Sequence, residues 1–294
     1  MDDATIITFN LSLVSYNMHG YFQGCSVVEE LIHSPHPPEV LLLQEHWLTP
    51  ANLCYFSKLS NDYFYFGSSA MSQCVEEGML RGQPYGGVVI LIRNKLHHLT
   101  ESVHCDDRYA IVKIADYLIT NVYMLCVGTP ERVDICDSVL DEIRVWREHY
   151  DDCYFVIGGD FNVDLDCPGD LVAKRLRHFA DDLSLTRGDI LVPMEKRPTY
   201  VNISLNHQSQ IDYFLVSRTC NFVDFCVMDP DINVSDHLPI IFTVGCCVRS
   251  SIISSANTKK ACENKQRQLR WDFGNQSEYY SFTGDHLSPL LLTL

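Results

Sequence analysis

The stretch CYFVIGGDFN, residues 153–162, runs from an apolar segment into two glycines, an acid, a phenylalanine and an amide. Its length and its Tyr, Phe, Val and Ile content predict a β-strand. The strand ends where Asp160 and Asn162 begin, so it would present two polar side chains at its tip. The same shape recurs along the chain. LSLVSYN ends at Asn17, EVLLLQE at Glu45, TNVYML carries Tyr123, QIDYFLVS opens on Asp212, and LPIIFTV follows Asp236 and His237. DYFYFGS, GGVVILIRN and YAIVKIA read as further strands.

Between them, apolar spacing close to 3.6 predicts helices over 25–34, 131–149 and 169–183. In the second, Val133, Ile135, Cys136, Val139, Leu140, Ile143 and Trp146 fall near one face. Strands that are almost continuously apolar need cover on both sides. The expectation is an α/β (α+β) domain of two sheets with outer helices over residues 1–246. A polar, Ser/Lys/Gln-rich linker and short tail are expected over 247–294.

The chain has 294 residues, 46% of them hydrophobic, enough for a sizeable core, and a formal net charge of −16. Residues 1–248 alone carry −18. That balance excludes a protein that coats nucleic acid non-specifically, while clustered acids suit a divalent cation. Thirteen cysteines, with no charged leader and apolar run at MDDATIITFN, predict reduced thiols in an intracellular protein of nucleus or cytoplasm, not a secreted one. The sequons at Asn10, Asn202, Asn233 and Asn275 would then stay unmodified. CxxC and HExxH spacings are missing, so zinc has little support. No apolar stretch reaches the roughly 20 residues that cross a bilayer; neither a membrane nor an obligatory protein partner is expected.

In layered α/β proteins, polar groups at neighbouring strand ends meet on one rim. Glu45, with Asn17 and Asp236, offers hard oxygen ligands for Mg²⁺, with Mn²⁺ as a substitute. Asp160 can orient or deprotonate a water, and Asn162 can fix Asp160 or donate to a phosphate oxygen. His237 can donate to charge growing on that phosphate, with Asp212 holding its ring. Each clue has a plainer reading on its own. Glu45 reads as a solvated strand end, GDFN as a turn, SDH as a cap and Tyr123 as core.

In this order, SYNMHG, LLLQEHW, GGVVILIRN, NVYML, VIGGDFNVDL, RPTYVN, QIDYFLVS and VSDHLPI resemble successive blocks of the endonuclease/exonuclease/phosphatase superfamily. These are metal-dependent phosphodiesterases that include DNase I-like nucleases and abasic-site endonucleases. The resemblance spans about residues 8–245. It implies a four-layered α/β sandwich, two mixed β-sheets packed face to face with outer helices and the site between them. It also implies the roles argued above for Asn17, Glu45, Tyr123, Asp160, Asn162, Asp212, Asp236 and His237. His19 stands where abasic-site members often carry an acid, which argues against that specificity.

RWDFGNQSEYYSFT in the tail and TYVNISLNHQSQIDYFLVS resemble non-LTR retrotransposon polyproteins, in which the endonuclease is joined to a reverse transcriptase. The implied partner is DNA, nicked on one strand to leave a 3′-hydroxyl primer. Substrate contacts are expected from Tyr21, Thr199, Tyr200 and Asn202, with Phe22 as a further aromatic wedge. Arg81, Arg93, Lys95, Lys196 and Arg197 are candidates for a basic strip. Two alternatives stand beside this reading: a phosphatase or phosphodiesterase of the same fold acting on a small phosphorylated molecule or lipid headgroup, and a non-catalytic remnant serving as a binding module. Intact Glu45, Asp160, Asp212 and His237 speak against the remnant.

Overall fold

The apolar runs divide between two sheets. A computed structural model describes residues 6–76, 82–192 and 197–249. Its strands in chain order are β1 (Ile6–Asn17), β2 (Val40–Gln44), β3 (Tyr63–Ser68), β4 (Val88–Arg93), β5 (Thr100–Cys105), β6 (Tyr109–Ile114) and β7 (Tyr117–Tyr123). They continue with β8 (Tyr154–Asp160), β9 (Leu185–Arg187), β10 (Tyr200–Asn202), β11 (His207–Ser209), β12 (Asp212–Ser217), β13 (Asn221–Val227) and β14 (Ile240–Arg249). One sheet runs β13-β14-β1-β2-β4-β3, the other β5-β6-β7-β8-β12-β9, and β10-β11 form a separate hairpin. β1 with β2 and β7 with β8 pair in parallel while the other neighbours are antiparallel, so both sheets are mixed.

Burial sets the layers. β2 is buried at all five positions and β7 at all but its last, so neither shows the period-two alternation of a half-exposed strand. Between the sheets, Leu11, Leu13, Val40, Leu42 and Ile90 meet Val112, Ile114, Ile119, Val156 and Phe214. Each such side chain contributes roughly 1.5–3 kcal/mol by leaving water.

The helices are α1 (Tyr21–Ile32), α2 (Phe56–Leu59), α3 (Ser72–Glu76), α4 (Arg132–His149) and α5 (Leu171–Asp182). α1 lays Val27, Val28 and Leu31 on the outer face of the first sheet. α4 and α5 cover the second, with Val139, Leu140, Ile143, Leu176 and Phe179 against Ile111, Leu118, Phe155 and Ile157. Four layers result, as the family resemblance implied.

α4 and α5 lie within two residues of their expected ranges, but α1 begins four residues before 25. Gly20, at φ 98°, turns the chain into it, and a first turn of Tyr21, Phe22, Gln23 and Gly24 carries no apolar period to betray it. α1 stops at Ile32, ahead of the Ser34–Pro35 pair, because the residue before a proline disfavours helix.

All twelve cysteines among the described residues are free thiols. No helix among these residues is long and apolar enough to cross a membrane. β14 carries the pairing with β1 through Arg249. The rest of the linker and tail expected over 247–294, with its RWDFGNQSEYYSFT segment, lies outside the described residues.

Register brings the strand tips together. Asn17 is opposite Gln44 at the parallel ends of β1 and β2, Tyr123 is opposite Asp160 at those of β7 and β8, and Asp212 pairs with Asp160 from the antiparallel side. A buried polar bridge aligns the two sheets beneath these tips. Gln44 donates to Asn121 Oδ1 at 2.7 Å, and Asn121 donates to the carbonyls of Leu43 and Val89 at 2.9 and 3.0 Å.

Candidate active site

Asp160 is fully buried at the tip of β8. Its Oδ2 accepts from the amide nitrogens of Asn17 and Asn162, both at 2.9 Å, and its Oδ1 accepts the backbone N–H of Asn162 at 2.8 Å. Asn162 sits at φ 52° in the left-handed region, where asparagine is better tolerated than most residues. Its amide also reaches the Met124 carbonyl, and Arg132 on α4 ties its carbonyl at 2.9 Å while pairing with Asp170, the residue that caps α5. The turn and the acid are therefore one unit: the turn reading of GDFN and its catalytic reading describe the same geometry.

His237 is buried against the same acid. Its Nδ1 lies 3.0 Å from Asp212 Oδ2 and its Nε2 lies 3.8 Å from Asp160 Oδ2. Burial alone would lower the His237 pKa, but the charges of Asp212 and Asp160 outweigh burial and hold it up at about 10. Burial pushes the Asp160 carboxyl up to about 7, against the pull of His237 and with help from Asp212. Asp160, Asp212 and His237 offer ligand atoms within 4.8 Å of one another. Within this group the imidazole lies between two carboxylates, which favour its charged form.

Across Asn17 from this group stands Glu45. This residue follows β2 at φ 51°, with His19 at 48° and Trp47 at 53° close by, so three non-glycine residues hold left-handed backbones. Such strain persists only where the surroundings fix it. Here Gly20 N–H donates to the Glu45 carbonyl at 2.7 Å, Tyr21 N–H to His46 and Trp47 N–H to Gly86. His46 fills the turn as a neutral ring: Nε2 faces the Ser68 carbonyl and Nδ1 accepts Leu48 N–H, each at 3.0 Å, and burial pushes its pKa down to about 4.

Glu45 Oε1 accepts from Asn17 at 3.0 Å, and Oε2 accepts from the indole N–H of Trp47 at 2.9 Å. Asn17 Nδ2 thus bridges Glu45 and Asp160, while its oxygen accepts His19 N–H at 3.0 Å. Burial, followed by the charges of Glu45 and Asp160, drives the Tyr123 hydroxyl far above the usual range and keeps it protonated against Glu45. Asp236 gives Oδ1 to His19 Nδ1 at 2.9 Å. That hydrogen bond raises the His19 pKa, and Glu45 acts in the same direction. Glu45, Asp236 and Asn17 supply the carboxylate and amide groups that a hard cation such as Mg²⁺ takes, but here Asn17 turns its Nδ2 toward Glu45 and Asp160, and Asp236 pairs with His19.

The loop carrying Asp236 and His237 is tied to β1. Ser235 Oγ donates to the Asn17 carbonyl at 2.9 Å and accepts His237 N–H, and Asn233 joins Tyr16 to the His237 carbonyl.

A model of the Endonuclease/Exonuclease/phosphatase family matches residues 14–237, most of the chain and every residue just described. The chain belongs to this family. Similar solved structures include the 3′ phosphatase NExo from Neisseria bound to product DNA hairpin, with TM-score 0.58 and 18% identity over 79% of this chain and 98% of that one. The AP endonuclease LMAP from Leishmania major matches with TM-score 0.62 and 17% identity over 80% and 87%. The endonuclease domain of TRAS1, a telomere-specific non-LTR retrotransposon, matches with TM-score 0.60 and 16% identity over 80% and 98%. At these identities the likeness is one of fold. No curated protein sequence matches the chain significantly.

Not every residue expected to touch a substrate lines this family's cleft here. Thr199 is fully buried, and its hydroxyl oxygen accepts the N–H groups of Ile211 and Asp212 at 3.0 Å; it positions Asp212. Tyr21 packs against Phe56 at 5.3 Å, with its hydroxyl on the Tyr55 carbonyl, and also lines the pocket next to Trp47. Asn202 caps its own hairpin turn through Leu205 N–H. Tyr200 stays at the rim, its ring edge-on to His237 at 5.1 Å.

Arg93 ends β4 opposite Tyr63, at the end of the sheet away from Glu45, and Lys95 pairs with Glu39 at 2.8 Å; neither contributes a basic strip at the cleft. Arg81 and Lys196 lie outside the described residues. The cation that sequence reasoning missed is Arg108, whose guanidinium lies 5.3 Å over the Tyr123 ring. Its only trace in the sequence is one arginine before YAIVKI. Trp47 was likewise passed over, although it stands two residues after Glu45.

Proposed function

We propose that the chain is a divalent-metal-dependent DNA endonuclease that nicks one strand and leaves a 3′-hydroxyl, the cut a retrotransposon makes to prime copying at its target. The observation that carries this reading is the single hydrogen-bonded constellation in which Asn17 joins Glu45 to Asp160 and His237 stands between Asp160 and Asp212.

Glu45, with Asn17 and Asp236, would hold Mg²⁺, and the bound ion would supply charge neutralisation at the phosphate. Asp160, raised toward neutrality by burial, orients and deprotonates the attacking water. Asn162 and Asn17 fix its two oxygens so that the base points one way. His237, kept protonated by Asp212, donates to the non-bridging oxygens as their charge grows. Tyr123, held protonated, is a second donor from the Glu45 side, and Arg108 over its ring adds a positive field.

DNA as substrate is supported by the β10-β11 hairpin. Its tip exposes Ile203 and Leu205 at 88% and 75%, and its base is joined to the site by the pairing of Tyr200 with His237. Apolar tips of this kind wedge between base steps. Supercoiled plasmid incubated with the protein and Mg²⁺ should become relaxed circles bearing 3′-hydroxyl ends. EDTA, Asp160→Ala and His237→Ala should each abolish that product. Equal nicking by Asp160→Ala would remove the mechanism, and phosphate release from small esters without nicking would replace DNA as the substrate.

A further inference from the structure

We infer, on the basis of the nuclease reading above, that the pocket beside Glu45 receives one unpaired nucleobase of the DNA, so that the enzyme favours sites where a nucleotide leaves the stack.

The pocket measures about 330 Å³, inside the roughly 300–1,000 Å³ range of small-molecule sites. Three rings, Tyr21, Phe22 and Trp47, and three amides, Gln23, Asn52 and Gln83, give it its character. Its lining residues include no carboxylate, lysine or arginine, and its one imidazole, His46, is engaged by the Ser68 carbonyl and Leu48 N–H. In a chain of net charge −16, such a recess is built neither for a phosphate nor for a cation. A nucleobase matches it: an uncharged plate with a face to stack on rings and an edge of donors and acceptors for amides.

Position ties the pocket to the chemistry. The indole of Trp47 forms part of the wall and donates to Glu45 Oε2 at 2.9 Å, so the occupant lies one hydrogen bond from the principal cation ligand. Gly20 closes the wall from below. At φ 98° it tolerates no side chain, and a Cβ there would meet the indole at 2.7 Å. Phe22 is 76% exposed, with its ring 5.4 Å from Tyr21 and 6.1 Å from Tyr55. A phenylalanine so exposed does little for the core, and beside an amide-lined recess it is placed to cover a base.

The test uses duplexes that share one nick site, each with a single tetrahydrofuran residue replacing one nucleotide near it. Loss of one particular base should lower kcat/KM roughly tenfold, at the low end of base–aromatic stacking. Mispairing that same base, which reduces the cost of extrusion, should raise it. Phe22→Ala should lower cutting of the intact duplex by a similar factor, yet by less than twofold on the duplex that lacks the base. Asn52→Ala should show the same coupling and provides a second variant; thermal melts monitor the fold of both. If every base-less duplex is cut as fast as the intact one, or if both variants slow all duplexes alike, the pocket holds no base. If no DNA is nicked in an Asp160-dependent way, the nuclease reading falls and this inference falls with it.

Discussion

The two halves of the site are held by different means. Asp160, Asp212 and His237 are buried, and strand register fixes the two acids opposite each other. Glu45, His19 and Trp47 stand on left-handed backbones outside the strands, beside an open aromatic pocket. The first half is positioned by the sheet itself and is as firm as the core. The second depends on a strained turn packed around one neutral histidine, so small packing changes should reach it without unfolding the domain. Under the proposed function, the difference separates the residues that would perform proton transfer from those that would set where a cation and a substrate sit.

Asp160→Asn breaks the buried half at its centre and should show the largest effect. It keeps the shape but removes the base, so nicking should fall roughly 10³- to 10⁴-fold, with a thermal midpoint no lower than that of the parent. A midpoint lowered along with activity would show that the carboxylate serves the fold instead.

Gly87→Ala attacks the other half through its backbone. At φ 89°, its Cβ would lie 2.4 Å from the His46 ring. Strain and overpacking together should cost roughly 3–4 kcal/mol in urea unfolding.

His46 itself gives the strained half a pH signature. Its folded pKa, about 4, lies below the ordinary 6.5, so between those values the unfolded chain binds the extra proton. The histidine's contribution is complete above pH 6.5 and is lost as pH falls toward 4, by about 3 kcal/mol in total. Unfolding in EDTA should show that loss in the parent and not in His46→Gln; parallel curves would mean that the ring already carries its proton in the fold.

The mildest change is Trp47→Phe, which keeps the ring and removes the N–H on Glu45. The Mg²⁺ concentration for half-maximal nicking should rise roughly tenfold, about 1.4 kcal/mol, with plateau activity preserved. A fall in plateau at unchanged Mg²⁺ demand would place Trp47 on the chemistry side of the division.

Most of the buried half is legible in the sequence, because each of its residues punctuates an apolar run and strand length fixes where a side chain emerges. The strained half is only partly legible. Glu45 follows a strand, but the pocket beside it is assembled from residues 20–23, 46–52 and 83–84, which no periodicity connects. Thr199 misled because a threonine next to a tyrosine in TYVN reads as surface, whereas the fold turns its hydroxyl inward onto two backbone N–H groups. Arg93 misled because a strand has two ends, and sequence alone does not say which faces the cleft; pairing of Val88 with Gln44 decides it.

β1 lies between β2, drawn from the next forty residues, and β14, drawn from the far end of the domain. The loop that brings His237 enters β14 directly, so the imidazole arrives only when that last strand docks against β1. During synthesis the growing polypeptide therefore lacks both Asp236 and His237 at the site until nearly 250 residues have emerged. The order of assembly thus keeps the candidate site incomplete until the domain is whole.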